Sequence, residues 1–466
     1  MKDTLKSRAV VAACSLLLFV FSASIPALVW GKATLPLPLV ELGSIAPPVM
    51  TLCAMLLLAS IATMALQHYR FPYTIGLVIA GLVIGVLADY IAPSSSFEVS
   101  AIRNHITLSH DLILYVLLPP LVYEASLSID IRLLKRNLVP IMILAVVGLL
   151  ISTFIVGGLV SWLTPLVLMP ALVFGALISA TDPVAVIALF KELNAPERLS
   201  VLMDGESLFN DATAIVMFQV MMGLIAIPII TNTTVLDAIW DFILIFFGGI
   251  LVGALVGLVT SWIASLQPND RNVQITLSVA AAWGSFVLAD HYCGLSGVMS
   301  CVASGLVCGY YARTRLGMRT LLFAHRWWSY ATFLANTYVF LLLGLKEELL
   351  LRGEVTPSAG SLLIAIVAVL LARLIVIYLL VPGYNLGVRQ FSRKKKYISS
   401  KYQVIMFWGG LRGAVPMALV LSLPADFPQR GLIFNMTLAV ILWTLLIQGT
   451  TMKPLLNKLL PKTAHH

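Results

Sequence analysis

Apolar runs close to the length that crosses a bilayer recur from one end of this chain to the other. A helix needs about 20 predominantly apolar residues to span the hydrocarbon core. Thirteen such runs can be placed, at 43–67, 73–91, 107–129, 137–161, 166–191, 198–229, 237–265, 274–290, 294–311, 328–346, 360–383, 402–422 and 434–455. Only 11% of the 466 residues are charged and 60% are hydrophobic, whereas soluble chains carry about 25% charged residues. No soluble fold could cover that much apolar surface. The expected fold is an all-α polytopic membrane protein, with 43–455 as its membrane domain and 456–466 as a short tail. Ahead of it, Lys2, Lys6 and Arg8 lead into an apolar run from Ala9 to Trp30, the pattern of a signal peptide or of an extra N-terminal helix over 1–31. That run is long for a signal peptide and ends in no clean small-x-small site, which favours retention.

Orientation follows from the basic residues, which gather in cytoplasmic loops. Twenty of the thirty lysines and arginines fall in the loops after the odd-numbered spans or at the C-terminus, and five in the opposite loops. The C-terminus is therefore expected in the cytoplasm. The same bias accounts for the net charge of +9. The run Arg393 to Lys396 reads as a loop beside anionic lipid rather than as a nucleic-acid site.

Little else in the chain points to bound groups. The five cysteines show no metal-ligand spacing and lie mostly in apolar runs, where cysteine behaves as a small hydrophobe. There is no P-loop and no HExxH pair, so no cofactor is expected and ATP is not the expected energy source. Gly294-Leu295-Ser296-Gly297, with His291 nearby, matches the nucleophile motif of intramembrane serine proteases. Such an enzyme needs a base in reach of the serine, and the later histidines sit only at His325 and the terminus. A glycine-rich helix start fits that segment better, and the protein is expected not to be an enzyme.

The informative residues are charges inside the spans, because an ionisable group at membrane depth is costly and marks function by default. The third span carries Pro119-Pro120 just before Glu124, and the prolines kink the helix and free carbonyls. The fifth carries Ser179-Ala180-Thr181-Asp182-Pro183, whose Asp-Pro step disfavours helix at Asp182. The sixth carries Asp204-Gly205-Glu206-Ser207-Leu208-Phe209-Asn210-Asp211, and the twelfth Gly409-Gly410-Leu411-Arg412-Gly413 followed by Pro416. On a helix, residues four apart share a face. Ser207 and Asp211 thus form one stripe and Glu206 and Asn210 the next. One stripe offers oxygens to a cation while the other is anchored, with Arg412 expected to pair with Glu206. Arg373, in the eleventh span, has no evident partner.

The two interrupted spans stand seven apart in order. Paired broken helices at corresponding places are the sequence mark of a transporter built from inverted repeats. Spans 1–6 and 8–13 would be those repeats, with spans 5 and 12 crossing.

The segments Ala180-Thr181-Asp182-Pro183-Val184, Gly205 to Asp211 and Gly409 to Val415 together resemble the signatures of CPA1-class cation/proton antiporters, the bacterial NhaP and animal NHE sodium/proton exchangers, most closely the prokaryotic type. The likeness runs over about 43–455. It implies that Asp211 binds cation and proton in turn, that Ser207 and the Thr181 carbonyl add oxygens for Na+ or Li+, and that Glu124 contributes directly or through water. Glu206 with Arg412 would tie the sixth span to the twelfth, and Asp182 with Asn210 would hold the unwound fifth. Asn210, where electrogenic relatives carry a second aspartate, implies electroneutral exchange, and the resemblance also implies a homodimer. A K+/H+ antiporter of the same fold is the main alternative, and a cation channel a weaker one.

Overall fold

In the computed structural model the described residues are 56–57, 60–61, 76–81, 83 and 112–460, except 194, 226–231, 352–357, 392–396 and 425. The expected segment 1–31 and most of the first two spans lie outside them. Chain contacts define two compact units, 1–107 with 340–351, and 108–339 with 352–466. The residues discussed below lie in the second.

The described elements are helical, with no strand among the described residues. A wide π-helical turn, Leu112–Leu117, leads into α1, Leu118–Ser128. Next come α2, Ile131–Leu163, α3, Leu168–Ile178, α4, Val184–Leu193, and α5, Glu197–Ile225. Then follow α6, Asn232–Ala264, α7, Arg271–Tyr292, α8, Gly297–Arg315, α9, Met318–Leu351, and α10, Ala359–Phe391. The last are α11, Ser400–Trp408, α12, Ala414–Leu421, and α13, Arg430–Leu459. Among the described residues six helices are long and apolar enough to cross a membrane. The last helix runs to Leu459, so the expected tail begins inside it.

Local chemistry sets the helix starts. Asp130 accepts from the backbone N–H of Arg132 and Leu133 at 2.7 and 3.2 Å, satisfying two donors that open α2 without partners. Asp270 does the same for α7. Ser296 accepts from the Met299 N–H at 3.2 Å and is buried. The serine of the protease-like motif is therefore an N-cap for α8, which explains its residue type without a nucleophile.

Helices pack closely where small residues line up. Gly249, Gly253 and Gly257 of α6 lie four apart and meet the backbone of Ser296, Ser300 and Ser304 of α8. Any side chain at Gly253 would run into the Ser300 carbonyl. With no hydrophobic drive between helices in lipid, such close backbone approach is what makes two of them adhere. The far side of α6 exposes Leu236, Trp240, Phe247, Leu251, Leu255, Leu258 and Trp262, the surface acyl chains would cover.

Within this unit α2, α10 and α13 pack around the two interrupted helices, α3 with α4 and α11 with α12, while α1, α6, α7 and α8 pack on one another. Helix α5 touches members of both groups. The helix that carries Asp211 therefore runs along their seam.

Candidate functional site: two broken helices against α5

Both expected interruptions are present, and each is five residues long. Helix stops at Ile178 and resumes at Val184, and stops at Trp408 and resumes at Ala414. The breaks meet, since the Asp182 N–H donates to the Leu411 carbonyl at 2.8 Å. Gly413 lies directly against the Asp182 side chain, where a Cβ would collide with the carboxylate. Glycine is thus required at 413 by the approach of one break to the other.

Each half-helix end is left with unpaired backbone groups and a partial charge, negative at a C-terminus and positive at an N-terminus. Arg412, from the second break, answers the end of α3, donating from Nη1 to the carbonyls of Ser179 and Ala180 at 2.6 and 2.9 Å. Asp182, from the first, sits at the start of α4, where its Oδ1 accepts the Val184 N–H at 3.0 Å. Its carboxylate also faces Gly413, the residue that opens α12. The Arg412 N–H in turn donates to the Thr444 hydroxyl at 3.2 Å. Charge in each break is thereby matched to the half-helix ends around it.

Helix α5 presents its two stripes to this crossing. Ser207 donates to the Thr181 carbonyl, which places two of the expected cation oxygens side by side. Asn210 donates from Nδ2 to the Ser179 carbonyl at 3.3 Å and to the Thr181 hydroxyl at 3.2 Å, and so ties α5 to the unwound turn. Glu206, Ser207 and Asn210 are buried, while Asp211 is only half-buried. Asp182 and Arg412 both stand within electrostatic reach of Asp211. A carboxylate with a second acid, a hydroxyl and a carbonyl nearby suits a hard cation.

The expected Glu206–Arg412 pair does not form; Arg373 of α10 is the partner. Its Nη1 and Nη2 both donate to the Glu206 carboxylate, the second at 3.1 Å, and Nη2 also donates to the Met406 carbonyl at 2.9 Å. The physical reason is that Arg412 is drawn to the carbonyls at the end of α3, while the Glu206 stripe faces α10. Ser152, whose hydroxyl accepts from the buried Ser179 hydroxyl at 2.8 Å, and Thr444 are uncharged hydroxyls in apolar runs, and no sequence signal marks them. Glu124 accepts from Ser128 on its own helix at 3.3 Å and from Ser329 on α9 at 3.5 Å. A carbonyl beside the double proline, that of Pro120, is taken by the Thr332 hydroxyl at 3.1 Å.

Two broken helices that meet at their breaks, opposed charges in the breaks and a carboxylate beside them define an ion-coupled secondary transporter. Residues 54–458 match the family model described as sodium/hydrogen exchanger, transmembrane. Over 394 residues the chain is 37% identical to the Na(+)/H(+) antiporter ApNhaP of Aphanothece halophytica, spanning 84% of this chain and 70% of that one. It is 35% identical over 413 residues to the Na(+)/H(+) antiporter NhaG of Bacillus atrophaeus, spanning 86% and 73%. Among solved structures it shares the fold of the sodium proton antiporter MjNhaP1 from Methanocaldococcus jannaschii, with a TM-score of 0.72 at 22% identity, over 90% of this chain and 100% of that one. The chain belongs to the sodium/hydrogen exchanger family, a family of integral membrane secondary transporters.

Proposed function

We propose that the protein exchanges Na+, or Li+, for H+ across a membrane, one for one, with Asp211 binding cation and proton in turn. The observation that supports this is the hydrogen bond from Ser207 to the Thr181 carbonyl beside the breaks, with Asp211 one turn further along α5 and in electrostatic reach of Asp182 and Arg412. A bare carboxylate in a low-dielectric site is costly, so Asp211 holds either a proton or a cation and not both. Asp182 adds to that cost by its own charge and favours a loaded site. Electroneutral exchange follows from one carboxylate that trades one positive charge for another, with Asn210 in place of a second acid.

Arg373 with Glu206, Arg412 with the Ser179 and Ala180 carbonyls, and the Asp182 N–H with the Leu411 carbonyl keep the broken helices and α5 as one body. That body moves against α1, α6, α7 and α8, and the seam along α5 is where the two slide, opening Asp211 to one side and then the other. Glu124, on α1, would meet the cation along its path, directly or through water. The relatives named as Na(+)/H(+) antiporters support Na+ as the cation. The protein works as a homodimer in the plasma or bacterial inner membrane with its C-terminus in the cytoplasm; the dimer rests on the family likeness and the orientation on the basic loops.

Proton flux in sealed proteoliposomes, on adding Na+, Li+ or K+ with the voltage clamped by valinomycin or left free, tests this. Proton movement driven by Na+ or Li+ and indifferent to voltage is expected. Flux driven only by K+, measured without valinomycin, would make it a K+/H+ antiporter, and voltage-driven flux without countertransport a channel.

A further inference from the structure

A small cavity of about 10 Å3 lies behind the crossed breaks, bounded by Gly148, Ser152, Ser179, Asn210, Arg373, Val376 and Arg412 among others. That is the room one water molecule takes. Three of its polar residues are at most 7% exposed and carry atoms with no hydrogen-bond partner in the protein: Asn210 Oδ1, Arg373 Nε and Arg412 Nε. Leaving such groups unpaired costs about 1–3 kcal/mol each.

The chemistry of these groups selects the ligand. The Ser179 carbonyl can only accept, so the Asn210 amide must turn Nδ2 toward the break and Oδ1 away from it. A cation is repelled by the two guanidiniums, and an anion could not satisfy Asn210 Oδ1. Only a molecule that both accepts and donates serves both kinds of group.

We propose that this cavity binds one water, which accepts from Arg412 Nε and donates to Asn210 Oδ1, with the Ser152 hydroxyl as a further neighbour. The water locks the Asn210 amide in the orientation that holds Thr181, and so sets where the Thr181 carbonyl stands relative to Ser207 and Asp211. It makes Asn210 a positioning residue for the cation site, joined through water to the guanidinium that caps α3. The effect on transport rests on the proposed role of Asp211; the presence of the water does not.

The test is a structure of the intact protein at about 2 Å, with bromide replacing chloride in a second sample, beside flux measurements on Ser152→Thr, which keeps the hydroxyl that accepts from Ser179 at 2.8 Å and whose extra methyl takes the water's room. A density peak in hydrogen-bond range of Arg412 Nε and Asn210 Oδ1, without a bromide anomalous signal, is expected. Ser152→Thr should lose the peak and raise the half-saturating Na+ concentration about five- to tenfold at unchanged maximal rate, the effect of losing one ordered bridging water. No peak in the wild type, or a bromide signal in its place, would overturn the water. A lost peak with unchanged half-saturation would overturn its positioning role, whether or not Asp211 carries the exchange.

Discussion

Arg373 of α10 and Glu206 of α5, 167 residues apart in the chain, form a buried two-point ion pair, and the same guanidinium reaches the Met406 carbonyl at the end of α11. One side chain thereby joins the helix bearing Asp211 to the half-helix that runs into the second break. A lone guanidinium or carboxylate at this depth would be far more costly than the pair.

Removing one member should therefore cost more than removing both. Arg373→Met is expected to destabilise the protein by about 3–5 kcal/mol, the range for a buried pair that loses one charge. Arg373→Met with Glu206→Gln should recover part of it. Thermal unfolding in detergent, followed across the two single variants and the double, checks this; equal losses for all three would contradict it.

Arg412 is expected to behave differently. Its contacts are carbonyls at the end of α3 and not a carboxylate, so Glu206→Gln should not rescue Arg412→Met. A thermal shift in the Arg412→Met, Glu206→Gln double variant that exceeds the sum of the singles by a stabilising amount would show that the two are paired after all.

Gly413 is set against the Asp182 carboxylate. Gly413→Ala should lower the maximal exchange rate at least tenfold, because displacing one break from the other by even part of an ångström misplaces the Thr181 carbonyl. Gly431, which has open space around it, is the control, and Gly431→Ala should exchange at the wild-type rate.

Ser207 supplies a hydroxyl beside the Thr181 carbonyl. Ser207→Ala should raise half-saturating Na+ by about tenfold, since one neutral oxygen partner is worth on the order of 1–2 kcal/mol. Measured against pH in the wild type, half-saturating Na+ should rise as pH falls, because a ligand carboxylate must shed its proton before the cation binds. A half-saturation independent of pH would contradict competition at one carboxylate.

What could be read from the sequence was what single segments decide. Proline after Asp182 and the glycines around Arg412 fix the breaks by backbone chemistry alone, and both appear within a residue or two of their expected places. Four-residue spacing puts Ser207 and Asn210 on neighbouring stripes of α5, and it is packing against the first break that turns both toward Thr181. The partner of Glu206 was not legible, because α10 is apolar nearly all round and its sequence does not say which face meets α5. Arg412 stands in the second break, and only the carbonyls freed at the first explain why it turns there. The bonds holding Glu124 depend on Ser329 of α9, a helix far along the chain with no motif to announce the contact.

In the proposed exchange Asp211 is the group that trades proton for cation. The measurement that tests it most directly is Na+-driven proton flux by wild type and Asp211→Asn in matched proteoliposomes, with thermal unfolding to establish that the variant is folded. Asparagine keeps the shape and removes the charge, so a folded variant with no exchange is predicted. Retained Na+-coupled proton movement in Asp211→Asn would contradict the account.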